Sequence, residues 1–286
     1  MAEEELNVDF IVKLGGSAVT HKDYTEMLNS HNLAEVAILL NQCYLANRTF
    51  IVVHGAGSFG HHHAKNLKVN EGYRHLDDKA AAVVKHGFCV TRKSVLKLNS
   101  LIVDSLLSLG VPAVGCSPCG QWVTENKAVK QHGVPSVASL LKDGFVPVIH
   151  GDCVQDTKLG CCILSGDTII HTLCKEVHVN RVVFLTDVEG IFDRPPNEEG
   201  AQLLSKISVD KDRTHQTVVS TSQSENDVTG GIRFKLETAV DIVCNSDGKI
   251  SVFVCQIGTP SAETICIHDE LTDQTFTGTE VLLTRI

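Results

Sequence analysis

No apolar run in the sequence approaches the roughly 18 residues that a membrane-spanning helix requires, so no helical span is expected. Residues 1–9, MAEEELNVD, lack the basic start and apolar core of a secretory signal, and a cytoplasmic setting is expected. Positive charge is also short: 25 Lys and Arg face 34 Asp and Glu, a net charge of −9. General nucleic-acid binding needs clustered cations to neutralise phosphates and is excluded on that balance. A small anion is not excluded, because a few cations and backbone N–H groups can converge locally in an acidic protein. Internal repeats and low-complexity stretches are missing. Also missing are a Ser-His-Asp set, H-E-x-x-H, and a second C-x-x-C at zinc spacing beside Cys116–Cys119. The eleven cysteines are scattered, and Cys43, Cys89, Cys153, Cys174, Cys244 and Cys255 lie in apolar runs. In a reducing compartment they read as small buried hydrophobes.

What is present is an alternation. Strand-like runs occur at 10–14, 50–54, 112–116, 146–150, 182–186 and 250–255, with helix-period segments between them. Leu33, Val36, Ile38, Leu39, Leu40 and Cys43 mark a first helix with Asn32 as its expected N-cap. Residues 79–109, 165–177 and 230–243 read as further helices. Such alternation predicts βαβ units and an open, mainly parallel sheet covered on both faces, in one α/β domain or two lobes joined near 178–181. The polar stretch 193–229 is left as a short hairpin, a nucleotide-covering flap or disorder. Ligands of such sheets bind beyond the carboxyl ends of the strands.

Nearly every residue with chemistry to offer directly follows a strand. In VKLGGSAVTHK, Lys13 precedes Gly15, Gly16 and Ser17, a turn suited to converging backbone N–H groups on an anion. The bland alternative is a strand-end lysine beside a tight turn. VVHGAGSFGHHHA carries G-x-G-x-x-G, but no second strand with an acidic end follows, so a dinucleotide site fails on context. Neighbouring helical positions point about 100° apart, so His61, His62 and His63 do not share one metal. His61, nearest the turn, is the candidate, either toward a ligand or as a backbone cap. VIHGDCV places Gly151 and Asp152 at another strand end. LSGDTI offers Gly166 and Asp167, the latter open between an N-cap and a carboxylate holding lysines charged and aimed. FLTDVEG ends in Asp187, and TGGIRFKL opens a helix with Gly231 and carries Lys235 one turn inside. Glycine turns, three lysines (Lys13, Lys22 at the end of the first loop, and Lys235), an aspartate and a histidine form an inventory for phosphoryl transfer.

This ordered set resembles the amino acid kinase superfamily and, within it, the isopentenyl phosphate kinases. K-x-G-G-S, S-G-D and T-G-G-x-x-x-K support the superfamily, whereas the glycine loop ending F-G-H is the more specific element. The resemblance implies a three-layer αβα sandwich with an open sheet of eight strands, and usually a homodimer. Residues 1–286 would form one amino acid kinase-like domain, with acceptor binding and dimerisation in 1–180 and the nucleotide in 181–286. It implies that Lys13, Gly15, Gly16 and Ser17 bind the ATP phosphates and that Lys22, nine residues beyond Lys13, stabilises the transferring group. Ala56, His61 and Gly166 would hold isopentenyl phosphate, with Gly57 on the transferring phosphate. Asp167 would organise Lys13 and Lys235, and Asp187, Gly231 and Lys235 would sit on the nucleotide. The implied reaction converts isopentenyl phosphate to its diphosphate in isoprenoid synthesis, with Mg²⁺ carried on ATP and no metal held by protein side chains. Two departures stand out: Ala56 where archaeal relatives often have glycine, and the triple histidine. A prenyl slot is expected from Tyr73, Val83, Phe88, Val90 and Ile102, each of which could equally be core. The competing readings are a kinase for another phosphate, phosphonate or carboxylate, resembling fosfomycin or acetylglutamate kinases, and a non-catalytic sensor on the same fold.

Overall fold

The computed structural model describes residues 6–21, 23–213, 231–268 and 276–284. Its strands are β1 (Asn7–Leu14), β2 (Phe50–His54), β3 (Ala113–Cys116), β4 (Val123–Glu125), β5 (Ala128–Gln131), β6 (Val146–His150), β7 (Asp152–Asp156), β8 (Gly160–Leu164), β9 (His178–Thr186), β10 (Lys206–Val209), β11 (Ser251–Gln256) and β12 (Thr279–Leu283). Its α-helices are α1 (Gly16–Val19), α2 (Ser30–Leu45), α3 (Gly57–Asn66), α4 (Asp78–Leu107), α5 (Val134–Lys142), α6 (Gly166–Glu176), α7 (Gly231–Asn245) and α8 (Pro260–Ile267).

The six β-branched runs read from the sequence are contiguous and parallel, in the order β11-β9-β1-β2-β6-β3. Two strands that the sequence did not announce extend this sheet to eight: β12 runs antiparallel to β11, and β10 parallel to β12. A second sheet, β5-β4-β7-β8, packs through β7 against α4. Its turns are gathered by Asp156, which accepts from the N–H groups of Lys127, Lys158 and Leu159 and from Thr124 Oγ1.

Strict alternation assigns each strand residue to one of two cores. Ile11, Ile51, Val53, Val182, Phe184, Val252 and Val254 pack under α5, α6 and α7. Phe10, Val12, Leu14, Phe50, Val52, Val183, Leu185 and Phe253 pack under α2, α4 and α8. Lys13 shares the parity of Ile11, and His54 that of Val52, so the two lie on opposite faces of the sheet.

Helix starts differ from expectation in one place. Asn29, not Asn32, caps α2: its Oδ1 accepts from Asn32 N at 3.1 Å, while Asn32 Nδ2 donates to Ala18 O at 2.8 Å. The apolar stripe begins only at Leu33, which hid a polar first turn. In the stretch 193–229, an isolated bridge pairs Phe192 with Leu203 and Leu204 N donates to Ile191 O at 2.8 Å, so its first part is hairpin-like. Residues 214–230 lie outside the described residues.

His54 and His150 are register partners at the ends of β2 and β6, with ring centroids 5.5 Å apart and no exposed surface. Burial, reinforced by His150, presses His54 down to about 3, and burial also lowers His150. A histidine depressed in the folded state stays neutral while the unfolded chain takes up protons below about pH 6.5. Its stabilising neutrality is therefore fully present above that pH and is lost as pH falls toward the folded value. The carboxylate of Glu26, which is shifted down, acts only at lower pH. Urea unfolding at pH 7 and pH 5 is expected to show a loss of roughly 2 kcal/mol from His54 alone. Equal stability at the two values would contradict it.

Candidate active site

At the carboxyl ends of the parallel strands the backbone forms a stair. Gly15 N donates to Leu185 O at 3.3 Å, Gly55 N to Leu14 O at 3.1 Å, and Gly151 N to His54 O at 3.0 Å. Each loop is thus tied to the strand beside it before its helix begins.

The first two loops then meet backbone to backbone. A Cβ on Gly16 would lie 2.6 Å from Gly57 Cα and 2.7 Å from Gly57 N. Gly57 itself has φ +50°, and a Cβ there would lie 2.3 Å from Thr20 Oγ1. Thr20 completes the joint: its hydroxyl donates to Gly16 O at 2.7 Å and accepts from Ser58 N at 3.0 Å. Gly60 serves packing, since a Cβ there would meet Ala56 Cβ at 2.5 Å and Val95 Cγ2 at 2.8 Å. The G-x-G-x-x-G spacing therefore answers loop-to-loop and helix-to-helix approach.

Beside this joint, on the α6 face, Lys13 forms an ion pair with Asp167. Lys13 is 7% exposed and its Nζ lies 5.3 Å from the Phe184 ring centroid, a cation–π contact. The cap of α6 is Ser165, whose Oγ accepts from Thr168 N at 3.1 Å, which leaves the Asp167 carboxylate for the lysine. Gly166 adjoins the pair: a Cβ there would be in ordinary contact, 3.8 Å from Lys13 Cε and 3.4 Å from Val53 Cγ1. Gly15, Gly16 and Ser17 form the turn into α1. Ala56 is the N-cap of α3, with Gly57 opening the helix. His61 and His62 are exposed on α3 and His63 is half-buried. Asp187 is exposed just past β9, its carbonyl accepting from Gln256 Nε2 at 3.2 Å. Gly231 opens α7, which packs against α6, and Lys235 is half-buried on its second turn. Lys22 lies outside the described residues.

Glu26 belongs to this neighbourhood although no motif marks it. Its φ is +56°, its N–H donates to Ser58 O at 3.1 Å, and its carboxylate accepts from Ser94 Oγ at 2.6 Å and Lys97 Nζ at 2.7 Å. The hydrogen bonds from Lys97 and Ser94 hold that carboxyl below its ordinary range. Glu26 is thereby fastened to α3 and α4.

Other sequence candidates resolve into structure. Asp152 is buried and accepts from Ser117 Oγ at 2.9 Å and from Cys119 N at 3.2 Å. All eleven cysteines are free thiols. Burial pushes Cys116 up to about 11 and raises Cys119, so neither is poised as a thiolate. Tyr73 and Phe88 gather with Val69, Val84, Cys153 and Cys161 in a small apolar cluster between α4 and β7–β8. Val83 and Ile102 depart from the expected slot, because Val83 is 52% exposed and Ile102 packs in the core beneath the main sheet.

A strand-end lysine locked to a helix-start aspartate thus lies next to two glycine loops in backbone contact. The model of the amino acid kinase family matches residues 10–256. The chain belongs to the amino acid kinase family. An isopentenyl phosphate kinase of Arabidopsis thaliana is 38% identical over 281 residues, covering 81% of this chain and 83% of that protein. One from Methanothermobacter thermautotrophicus is 33% identical over 231 residues, covering 79% and 84%. Among solved structures, an isopentenyl phosphate kinase superposes with a TM-score of 0.76 at 26% identity, covering 95% of this chain and 99% of that one. The eight-stranded sheet with helices on both faces is thus the family's fold. Among the described residues, no helix of this family member is long and apolar enough to cross a membrane.

Proposed function

We propose that this amino acid kinase transfers the γ-phosphoryl group of ATP to isopentenyl phosphate, giving ADP and isopentenyl diphosphate. The observation that carries the reading is the Gly16–Gly57 joint, which sets a nucleotide-type loop and an acceptor-type loop against one another beside Lys13 and Asp167. The relatives named as isopentenyl phosphate kinases support the choice of acceptor. In the transfer, the bond from Pγ to the bridging oxygen of ATP breaks, and a bond from Pγ to an acceptor phosphate oxygen forms. That oxygen is already anionic at neutral pH, so no strong base is needed. The difficulty is bringing two anions together, and cations with fixed N–H groups offset that repulsion.

Lys13, Gly15, Gly16 and Ser17 would take the ATP phosphates, and Asp167, paired with Lys13, would aim it. Lys22 and Lys235 would add positive charge along the transfer path, with Asp187 and Gly231 on the nucleotide. Ala56, His61 and Gly166 would hold the acceptor phosphate, and Gly57 the group in transit. Mg²⁺ arrives as part of MgATP. The Tyr73–Phe88–Cys153 cluster is where the prenyl tail would lie, in the acceptor-binding part of the chain (1–180), leaving 181–286 to the nucleotide. A homodimer in the cytoplasm completes the reading. Exposed Leu107, Leu109 and Phe145 precede the edge strand β3 and its neighbour β6 and favour self-association there.

The deciding measurement is ATP turnover against isopentenyl phosphate, dimethylallyl phosphate, fosfomycin and N-acetylglutamate. A kcat/KM for the prenyl phosphates at least about 100-fold above the other two is expected, a ratio a pocket built for one polar group readily reaches. Preference for either other acceptor, or no turnover with any, would overturn the proposal.

A further inference from the structure

The acceptor loop begins with a peptide whose direction is set from beneath the sheet. Asn99 on α4 donates through Nδ2 to Val148 O at 3.2 Å, and a carbonyl oxygen only accepts, so the amide orientation is fixed. The same nitrogen lies 3.1 Å from His54 Nε2, which must then be the acceptor of the second N–H. A neutral imidazole has one donor, so the proton sits on Nδ1, and Nδ1 faces Gly55 O at 2.9 Å. The burial that keeps His54 neutral agrees with this tautomer. Described peptides include no cis bond, and in a trans peptide the C=O and N–H point in opposite directions. Holding Gly55 O down against the imidazole therefore turns Ala56 N–H to the other side, away from α4 and toward the face that carries Lys13 and Gly166. Among the described residues Ala56 N–H donates to no protein acceptor.

We propose that His54, with its tautomer dictated by Asn99, is a positioning residue that aims the Ala56 amide of the acceptor loop at the incoming phosphate. His150 offers the internal contrast. Its Nδ1 is 3.0 Å from Gly151 O in the same geometry, yet its buried Nε2 has no hydrogen-bond partner. Only the histidine under the acceptor loop is read by a second side chain. The inference rests on the acceptor assignment made above, but not on the identity of the organic group that bears the phosphate.

Two isosteres separate aiming from mere core filling. His54→Asn places an amide donor near the Nδ1 position, whereas His54→Gln carries its amide out to the Nε2 position, beyond reach of Gly55 O. With ATP and isopentenyl phosphate varied separately, His54→Gln is expected to lose about 10- to 100-fold in kcat/KM for the acceptor, because a misdirected contact near 1 Å is worth that much. The KM for ATP stays within about twofold, and His54→Asn recovers most of the loss. Equal effects of the two variants, equal shifts for both substrates, or a folded His54→Gln with wild-type kinetics would each overturn the proposal. Should His54→Gln not fold, Asn99→Ala frees the tautomer and is expected to raise the acceptor KM several-fold with ATP unaffected, and no change overturns it. Should the wild type turn over no isopentenyl phosphate, the functional reading fails alone. Calorimetric titration of inorganic phosphate into wild type and His54→Gln then makes the comparison, with weaker binding by the variant expected and equal binding overturning the aim.

Discussion

Lys13→Met is expected to lower kcat by at least about 100-fold while also destabilising the fold, and the two losses come apart in a double variant. The activity loss follows from removing a buried cation set where phosphate charge would accumulate, where single preorganised donors are worth about 3–4 kcal/mol. The stability loss has another origin. Asp167 has a side chain only 13% exposed and would be left without its cation, and breaking a buried pair on one side costs about 3–5 kcal/mol. Lys13→Met with Asp167→Asn removes the stranded charge, so the melting temperature should return most of the way to wild type. Turnover should not return, because no cation has been restored. Thermal unfolding and steady-state kinetics on wild type, both single variants and the double variant give the full cycle. Recovery of activity in the double variant, or full activity in Lys13→Met, would remove Lys13 from the chemistry.

Lys13 and Asp167 also show how far one chain of letters carries. Each was visible as a strand-end or helix-start residue, but Asp167 stayed open between cap and counter-ion. Only packing decides that, because the hydroxyl of Ser165 takes the N-terminal N–H and frees the carboxylate. The six parallel strands were legible because strands buried on both faces read as continuous β-branched runs. β12, with TEVLL at the sheet's margin, and β4 and β5, with VTE and AVKQ, are short or half-polar and give no such signal. Asn32 looked like a cap because apolar periodicity starts at Leu33, yet α2 begins with a polar turn at Ser30. Glu26 was beyond reach altogether: its partners Ser94 and Lys97 lie on α4, and nothing in its own neighbourhood announces them.

The meeting of Gly16 and Gly57 was equally illegible, since spacing within one loop says nothing of which loop it will touch, and it carries the other large expected effect. Three alanine variants divide the causes. Gly110 has φ +86° with nothing within 4 Å of a Cβ, so Gly110→Ala tests backbone strain alone and should cost about 1 kcal/mol of stability with turnover unchanged. Gly16 requires no left-handed backbone, so Gly16→Ala tests the clash alone: its Cβ meets the Gly57 backbone at 2.6 Å, and backbone has no flexible end to swing aside. The two loops must part by roughly an ångström, a displacement that costs about 100-fold where reacting groups are held in line. The loss should fall on kcat with both substrates saturating, since the loops would still bind their own phosphates but no longer at transfer distance. Gly57→Ala combines the strain at φ +50° with contacts at 2.3 Å to Thr20 Oγ1 and 2.9 Å to Gly16 O, and should be the least active and least stable of the three. A Gly16→Ala enzyme that turns over within a fewfold of wild type would show that the joint is only packing, and would withdraw the observation on which the proposed transfer rests.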